Sequence, residues 1–269
     1  MHKIPPIAST RFHPPVPVGT WLDRPRIEEL LDQAVHQKLT LIHAPPGFGK
    51  STLAAQWSLA LQDRGVRTGW LSLDHDDDRT LWFFSHLLDL FQRLFPDLDS
   101  SMRDILEETP HDAERYLIPL LINTAQQSEQ RTVIILDDWH MVRDDRTRAA
   151  FAKFLETTGG KLGFIVTSRT SFGLPLTNLR VHDQLCEVDA QVLRFNAQES
   201  HQFLVDVKGV ELSDSEFSEL HDKTEGWVAA LQLSSVSLKK QADISVLLRE
   251  LATRQHGIGQ YLVDNVLDM

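Results

Sequence analysis

Apolar residues along this chain follow two rhythms. Short uninterrupted runs at Leu39 to His43, Val66 to Leu73, Val133 to Leu136, Leu162 to Thr167 and Cys186 to Val188 have the character of buried strands. Between them the apolar positions recur at helical spacing. Ile27, Leu30, Leu31 and Val35 do so behind Asp23 as a cap, and good helix formers run from Thr52 to Leu61. Leu81, Phe84, Leu87, Leu88, Phe91 and Phe95 form a strong stripe. Thr109-Pro110 reads as a cap and first helical position for a helix to about Ala125, and Arg148 to Leu155 reads as another. Strands alternating with helices predict an α/β, three-layer domain with a mostly parallel five-stranded sheet.

After Val188 the rhythm changes. Asn196 with Glu199 and Ser213 with Glu216 have capping-box spacing, and helical patterning continues to roughly Lys239. A small helical domain is therefore expected to follow the α/β domain, with boundaries at 1–193 and 194–250. Met1 to Pro17 is proline-rich and reads as an extended strap across the first domain. Gln260 to Asp268 patterns as a helix without a terminal cap, so 251–269 is expected to begin a further, winged-helix-like domain that is cut short.

Composition narrows the function. Among 269 residues, 38 acidic side chains face 27 basic ones, and the net charge of −11 disfavours a phosphate backbone, so no direct DNA binding by this segment is expected. No apolar run approaches the ~20 residues of a membrane span, and Met1 to Pro17 lacks the continuous apolar core and small-residue cleavage site of a signal peptide, so the expected compartment is the cytoplasm. The single cysteine, Cys186, lies in an apolar stretch and reads as a buried thiol. The acidic run Asp74-His75-Asp76-Asp77-Asp78 reads as a solvated loop or the cap of the aromatic helix after it.

The chemistry concentrates at three strand ends. Ala44-Pro45-Pro46-Gly47-Phe48-Gly49-Lys50-Ser51, with Thr52 behind it, is a relaxed P-loop between strand and helix. Gly47 and Gly49 let successive N–H groups face a phosphate, Lys50 supplies a point charge, and Ser51 offers a hydroxyl to Mg2+. Val133 to Leu136 ends in Asp137, a second Mg2+ ligand, and Asp138, placed to orient or deprotonate a water. Phe164 to Val166 ends in Thr167, Ser168 and Arg169; the arginine would report a γ-phosphate and the hydroxyls would position water, against the plainer reading of an arginine solvated at a strand end. His140 beside the acidic pair reads as a packing or supporting residue. Together these predict an ATP/ADP and Mg2+ site on a P-loop NTPase domain.

The set Leu22-Asp23-Arg24-Pro25-Arg26, Ala44 to Ser51, Gly69-Trp70-Leu71-Ser72-Leu73-Asp74, Leu136-Asp137-Asp138-Trp139-His140, Thr167-Ser168-Arg169 and Thr224-Glu225-Gly226-Trp227 resembles the STAND-class signal-transduction ATPases. Within them it is similar to the large MalT-like, LuxR-family transcriptional regulators, nearly from end to end. The resemblance implies that Lys50, Ser51, Asp137 and Asp138 serve nucleotide and magnesium, that Arg169 senses the terminal phosphate, and that Arg24 lies near the nucleotide. It also implies that Gly226-Trp227 belongs to the helical-domain motif that closes over nucleotide, although Val228 stands where many relatives have proline. Such proteins hydrolyse ATP slowly and self-associate in the ATP-bound state in response to an inducer, which the sequence leaves unnamed. A dedicated P-loop ATPase or kinase, and a scaffold that holds nucleotide without turnover, remain open as alternatives.

Overall fold

The computed structural model describes residues 7–16, 21–98 and 112–239. The Thr109-Pro110 cap, the end of the helical domain and everything assigned to 251–269 lie outside the described residues. The chain divides into two compact units.

The first unit is built on β1 (Leu39–His43), β2 (Arg67–Ser72), β3 (Thr132–Asp137), β4 (Leu162–Ser168) and β5 (Leu185–Val188). Their spatial order is β2-β3-β4-β1-β5, and every neighbouring pair is parallel. The sheet is thus wholly parallel where a mostly parallel one was expected, since each connection is a helical crossover that returns the chain to the same end. The helices are α1 (Pro25–Ala34), α2 (Lys50–Asp63), α3 (Thr80–Leu94), α4 (Ala113–Gln127), α5 (Asp145–Thr157) and α6 (Leu176–Val181).

Alternate strand residues point to opposite faces, which is why the strands read as continuous apolar runs rather than alternating ones. Leu39, Leu41, Leu71, Ile134, Leu136, Phe164 and Val166 join the buried aromatic stripe of α3 and residues of α4 and α5 in one core. Val133, Gly163 and Ile165 instead meet Leu31, Ala34 and Leu61 of α1 and α2 on the other face. Because all strands are parallel, their carboxyl ends gather at one edge, and the polar residues that end β1, β3 and β4 arrive there together.

Within the strap, Ser9–Phe12 forms a single 3-10 turn whose Phe12 is buried under the guanidinium of Arg93. The acidic loop departs from the solvated reading. Asp74 caps a turn over His75–Asp78, but Asp77 is fully buried, held by Arg11 and by His86 at 2.6 Å. Asp78 accepts from the backbone N–H groups of Arg143 and Asp144. A charge run is read as solvated because ions prefer water, and here local pairing reverses that preference.

The second unit comprises 21–25, the P-loop tip 46–49, and 190–239. Its helices are α7 (Ala190–Leu193), α8 (Ala197–Gln202, continued by a π-type turn to Val207), α9 (Asp214–Thr224) and α10 (Val228–Lys239). Both capping boxes form, Asn196 with Glu199 and Ser213 with Glu216. Phe195, Phe203, Leu204, Leu220 and Leu231 make its core.

Candidate functional site

The first unit brings together the residues at the ends of β1, β3 and β4. Ala44 continues the β1 ladder by donating its N–H to the Ser168 carbonyl at 3.2 Å, and α2 begins at Lys50. Lys50 is buried, with Nζ donating to the Pro45 carbonyl at 3.0 Å. Burial lowers its pKa, opposed by Asp138, reinforced by Arg169 and opposed again by Asp137. An ammonium held on a neutral carbonyl in such surroundings is poised to exchange that partner for an anion.

Ser51 Oγ donates to Asp137 Oδ1 at 2.8 Å, although β4 separates β1 from β3 in the sheet. Asp137 is buried, and Thr167 Oγ1 donates to the same oxygen. Burial raises the Asp137 pKa; the Thr167 hydrogen bond opposes this, Asp138 adds to it, and Ser51 and Lys50 oppose it. Thr167 Oγ1 also accepts the Asp138 N–H at 2.9 Å, so one buried hydroxyl holds both acids. Asp138 adopts the left-handed conformation, φ 64° and ψ 43°, a strain of about 1–3 kcal/mol for a non-glycine residue that its surroundings must sustain. Its half-buried carboxyl is pushed up by burial and drawn down by Lys50 and Arg169. Arg169 is exposed at the end of β4, and its charge is felt at Lys50, Asp138 and His140. Ser168 is buried, and its Oγ accepts the Thr170 N–H at 3.3 Å.

A hydroxyl and a carboxylate oriented onto one another form a hard-oxygen donor pair of the kind magnesium prefers. The carboxylate whose burial raises its pKa is the group a divalent cation would favour in its ionised form. The residues therefore fit Mg2+.

The second unit holds the remaining predicted residues. Gly47 and Gly49 both have φ of 78°, and Gly49 has open space on its Cβ side, so backbone conformation alone calls for glycine there. Pro46, Gly47 and, in the first unit, Thr52 are exposed. Phe48 is buried against Trp227, ring centroids 5.9 Å apart and 28° between planes, and the Gly47 carbonyl accepts the Ala229 N–H at 3.0 Å. The helix begins at Val228, and its first turn donates to the P-loop tip. Gly226, φ 68°, packs so closely that a Cβ would lie 2.0 Å from the Phe195 carbonyl oxygen.

Arg24 is buried, ion-paired to Glu199 at 3.1 Å and donating to the carbonyls of Leu193 and Arg194 at 3.0 and 3.1 Å. Its guanidinium also covers the Phe195 ring at 4.7 Å. These contacts make it a staple for the end of α7. The double duty of Thr167 escaped sequence reasoning; its only signal is a hydroxyl ending an otherwise apolar strand.

A wholly parallel sheet with this strand order, a glycine-bearing loop leading from β1 into α2, and a serine–aspartate pair joining the start of α2 to the end of β3 define the fold of the P-loop NTPases. Residues 18–169 match the family described as Nephrocystin 3, N-terminal, and the chain belongs to it. More narrowly, it is similar to MalT-type regulators over nearly its whole length, and its fold is that of a STAND-class P-loop region. It is 41% identical over 98% of its length to a serine/threonine-protein kinase PknK from Mycobacterium tuberculosis, covering 24% of that protein. It is 33% identical over 94% of its length to an HTH-type transcriptional regulator MalT from Yersinia enterocolitica, covering 28% of that protein. The chain thus spans about a quarter of the length of these relatives. Among solved structures, a STAND protein with a tetratricopeptide repeat sensor from Pyrococcus horikoshii superposes with a TM-score of 0.52 at 18% identity, over 85% of this chain and 31% of that one. The replication initiator DnaA bound to AMPPCP and single-stranded DNA gives 0.50 at 14% identity, over 87% and 66%. No helix among the described residues is long and apolar enough to cross a membrane.

Proposed function

We propose that this chain is the ATP/ADP-binding switch region of a MalT-like regulator, with slow hydrolysis resetting the switch and self-association of the full-length protein in its ATP form. The observation that carries the reading is the Ser51–Asp137 hydrogen bond beside the buried, carbonyl-bound Lys50. Backbone N–H groups of Gly47, Phe48 and Gly49 cradle phosphate oxygens, with Pro46 shaping the loop before them, and Lys50 leaves the Pro45 carbonyl to neutralise them. Ser51 and Asp137 hold Mg2+, which when bound offsets the negative charge of the phosphates. Asp138 orients the attacking water and accepts its proton, a task its raised pKa favours. Arg169, reaching the site by charge, senses the terminal phosphate. Only contacts that differ between ATP and ADP can bias a conformational equilibrium, and in this reading Lys50 and Arg169 make them. Arg24 contributes by bracing the turn before Phe195.

Two relatives whose names give different outputs, protein phosphorylation and HTH-type transcriptional regulation, share this same segment. That supports a common switch rather than either output. The 41% identity to the named kinase favours, as a second reading, the same switch inside a chain whose output is phosphorylation.

Single-turnover hydrolysis tests the catalytic part: Asp138→Ala should slow it at least about a hundredfold while ADP still binds, and an unchanged rate removes Asp138 from the mechanism. Lys50→Ala should lose co-purifying ADP; wild-type retention would refute the phosphate cradle. For self-association, sedimentation of the full-length protein should show larger species with a non-hydrolysable ATP analogue than with ADP, and equal sizes would refute the switch.

A further inference from the structure

The short turn after β3, Trp139–Met141, contains two large rings with different surroundings. Trp139 is fully buried, packed against Phe83 and Phe151, and accounts for the turn's packing. The neighbouring His140 lies on the side of the acids, its Nδ1 3.7 Å from Oδ1 of Asp138. That nitrogen is buried and has no hydrogen-bond partner among the described residues. A buried ring nitrogen without a partner is unfavourable, and the Asp138 carboxylate stands just beyond hydrogen-bond distance of it. Asp138 is anchored through its backbone N–H to Thr167, but its half-exposed carboxylate accepts no hydrogen bond among the described contacts.

We propose that His140 is a positioning residue: its Nδ1–H donates to Oδ1 of Asp138 and fixes that carboxylate's rotamer, leaving Oδ2 for the attacking water. The inference rests on the hydrolytic part of the proposed function. At 3.7 Å, a small rotation of the ring closes the gap. Burial, with Arg169 and Lys50 nearby, holds the His140 pKa at about 4, so the ring carries one proton near neutrality and is a donor at one nitrogen only. A neutral donor steadies the carboxylate without competing with Lys50 and Arg169 for anions.

The choice of nitrogen makes the proposal testable, because the amide nitrogen of asparagine takes the place of Nδ1 and that of glutamine the place of Nε2. His140→Ala should slow single-turnover hydrolysis about ten- to hundredfold, with ADP affinity within about twofold of wild type. His140→Asn should restore most of the rate and His140→Gln should not. Equal rescue by both, no loss in the alanine variant, or a matching loss of ADP affinity would overturn it. Nitrogen-15 spectra of histidine-labelled protein give an answer without turnover: the Nδ1–H tautomer is expected, with a shift on Asp138→Asn, and an Nε2–H tautomer refutes the proposal. If the wild type binds nucleotide but does not hydrolyse it, the hydrolytic reading fails while the tautomer still decides the His140–Asp138 contact.

Discussion

Gly226→Ala is the sharpest structural prediction, because nothing near the missing side chain can move aside. The added Cβ would stand 2.0 Å from the Phe195 carbonyl oxygen, 2.9 Å from its carbon and 3.1 Å from its nitrogen, all backbone atoms. Relief requires the two segments to part by about an ångström, which breaks the hydrogen bond from the Phe195 N–H to the Gly226 carbonyl, now 2.9 Å. A buried N–H left without an acceptor costs about 1–3 kcal/mol. The left-handed conformation at φ 68° adds about 1–2 kcal/mol for an L-residue. The total, about 2–5 kcal/mol, corresponds to an opening equilibrium shifted at least about thirtyfold. Amide hydrogen exchange is the suitable assay, since a chain of two units need not unfold in one step. Protection of α9 and α10 should fall by that factor. Gly160→Ala, where an added Cβ meets nothing within 4 Å, is the control. Protection within about twofold of wild type in the Gly226 variant would refute the steric argument.

Thr167→Val preserves shape but removes the hydroxyl that holds both acids, and it should cost about 2–4 kcal/mol in urea denaturation; a loss below about 1 kcal/mol would show that the two acids do not depend on it. Arg11→Met leaves the buried Asp77 with His86 and the Asp74 N–H but without its guanidinium, so a loss of about 3 kcal/mol is expected by the same measurement. The carboxylate pair also sets a pH dependence. Asp137 and Asp138 have native pKa values above the ordinary 3.8, so the folded nucleotide-free chain binds more protons than the unfolded one between that value and the raised ones. Their ionisation therefore subtracts stability as pH rises through this window and subtracts nothing below it. Relative to wild type, the Asp137→Asn/Asp138→Asn double variant should gain stability progressively as pH rises above the ordinary 3.8, and a flat difference would contradict the burial argument.

The five strands and the main helices were legible because each is a local pattern: a run such as Val133 to Leu136 has one plausible fate, and capping boxes at Asn196 and Ser213 announce helix starts within four residues. The P-loop was legible for the same reason, since its glycines and lysine act within one short loop. Asp77 was misjudged as solvated because its partners, Arg11 and His86, come from other elements.

By itself, then, the sequence determined where strands end in polar groups and that one loop has the backbone freedom to surround a phosphate. It also determined the acidic surface charge. Only the tertiary structure decided that β4 lies between β1 and β3, so that a hydroxyl from the middle strand bonds the acids of its neighbour while Ser51 reaches across to the same carboxylate. It likewise decided that Gly226 must be glycine because another backbone segment occupies the space. Spacing along the chain encodes local geometry; which distant groups desolvate one another is set by packing, and desolvation is what shifts the pKa values of Lys50, Asp137 and Asp138.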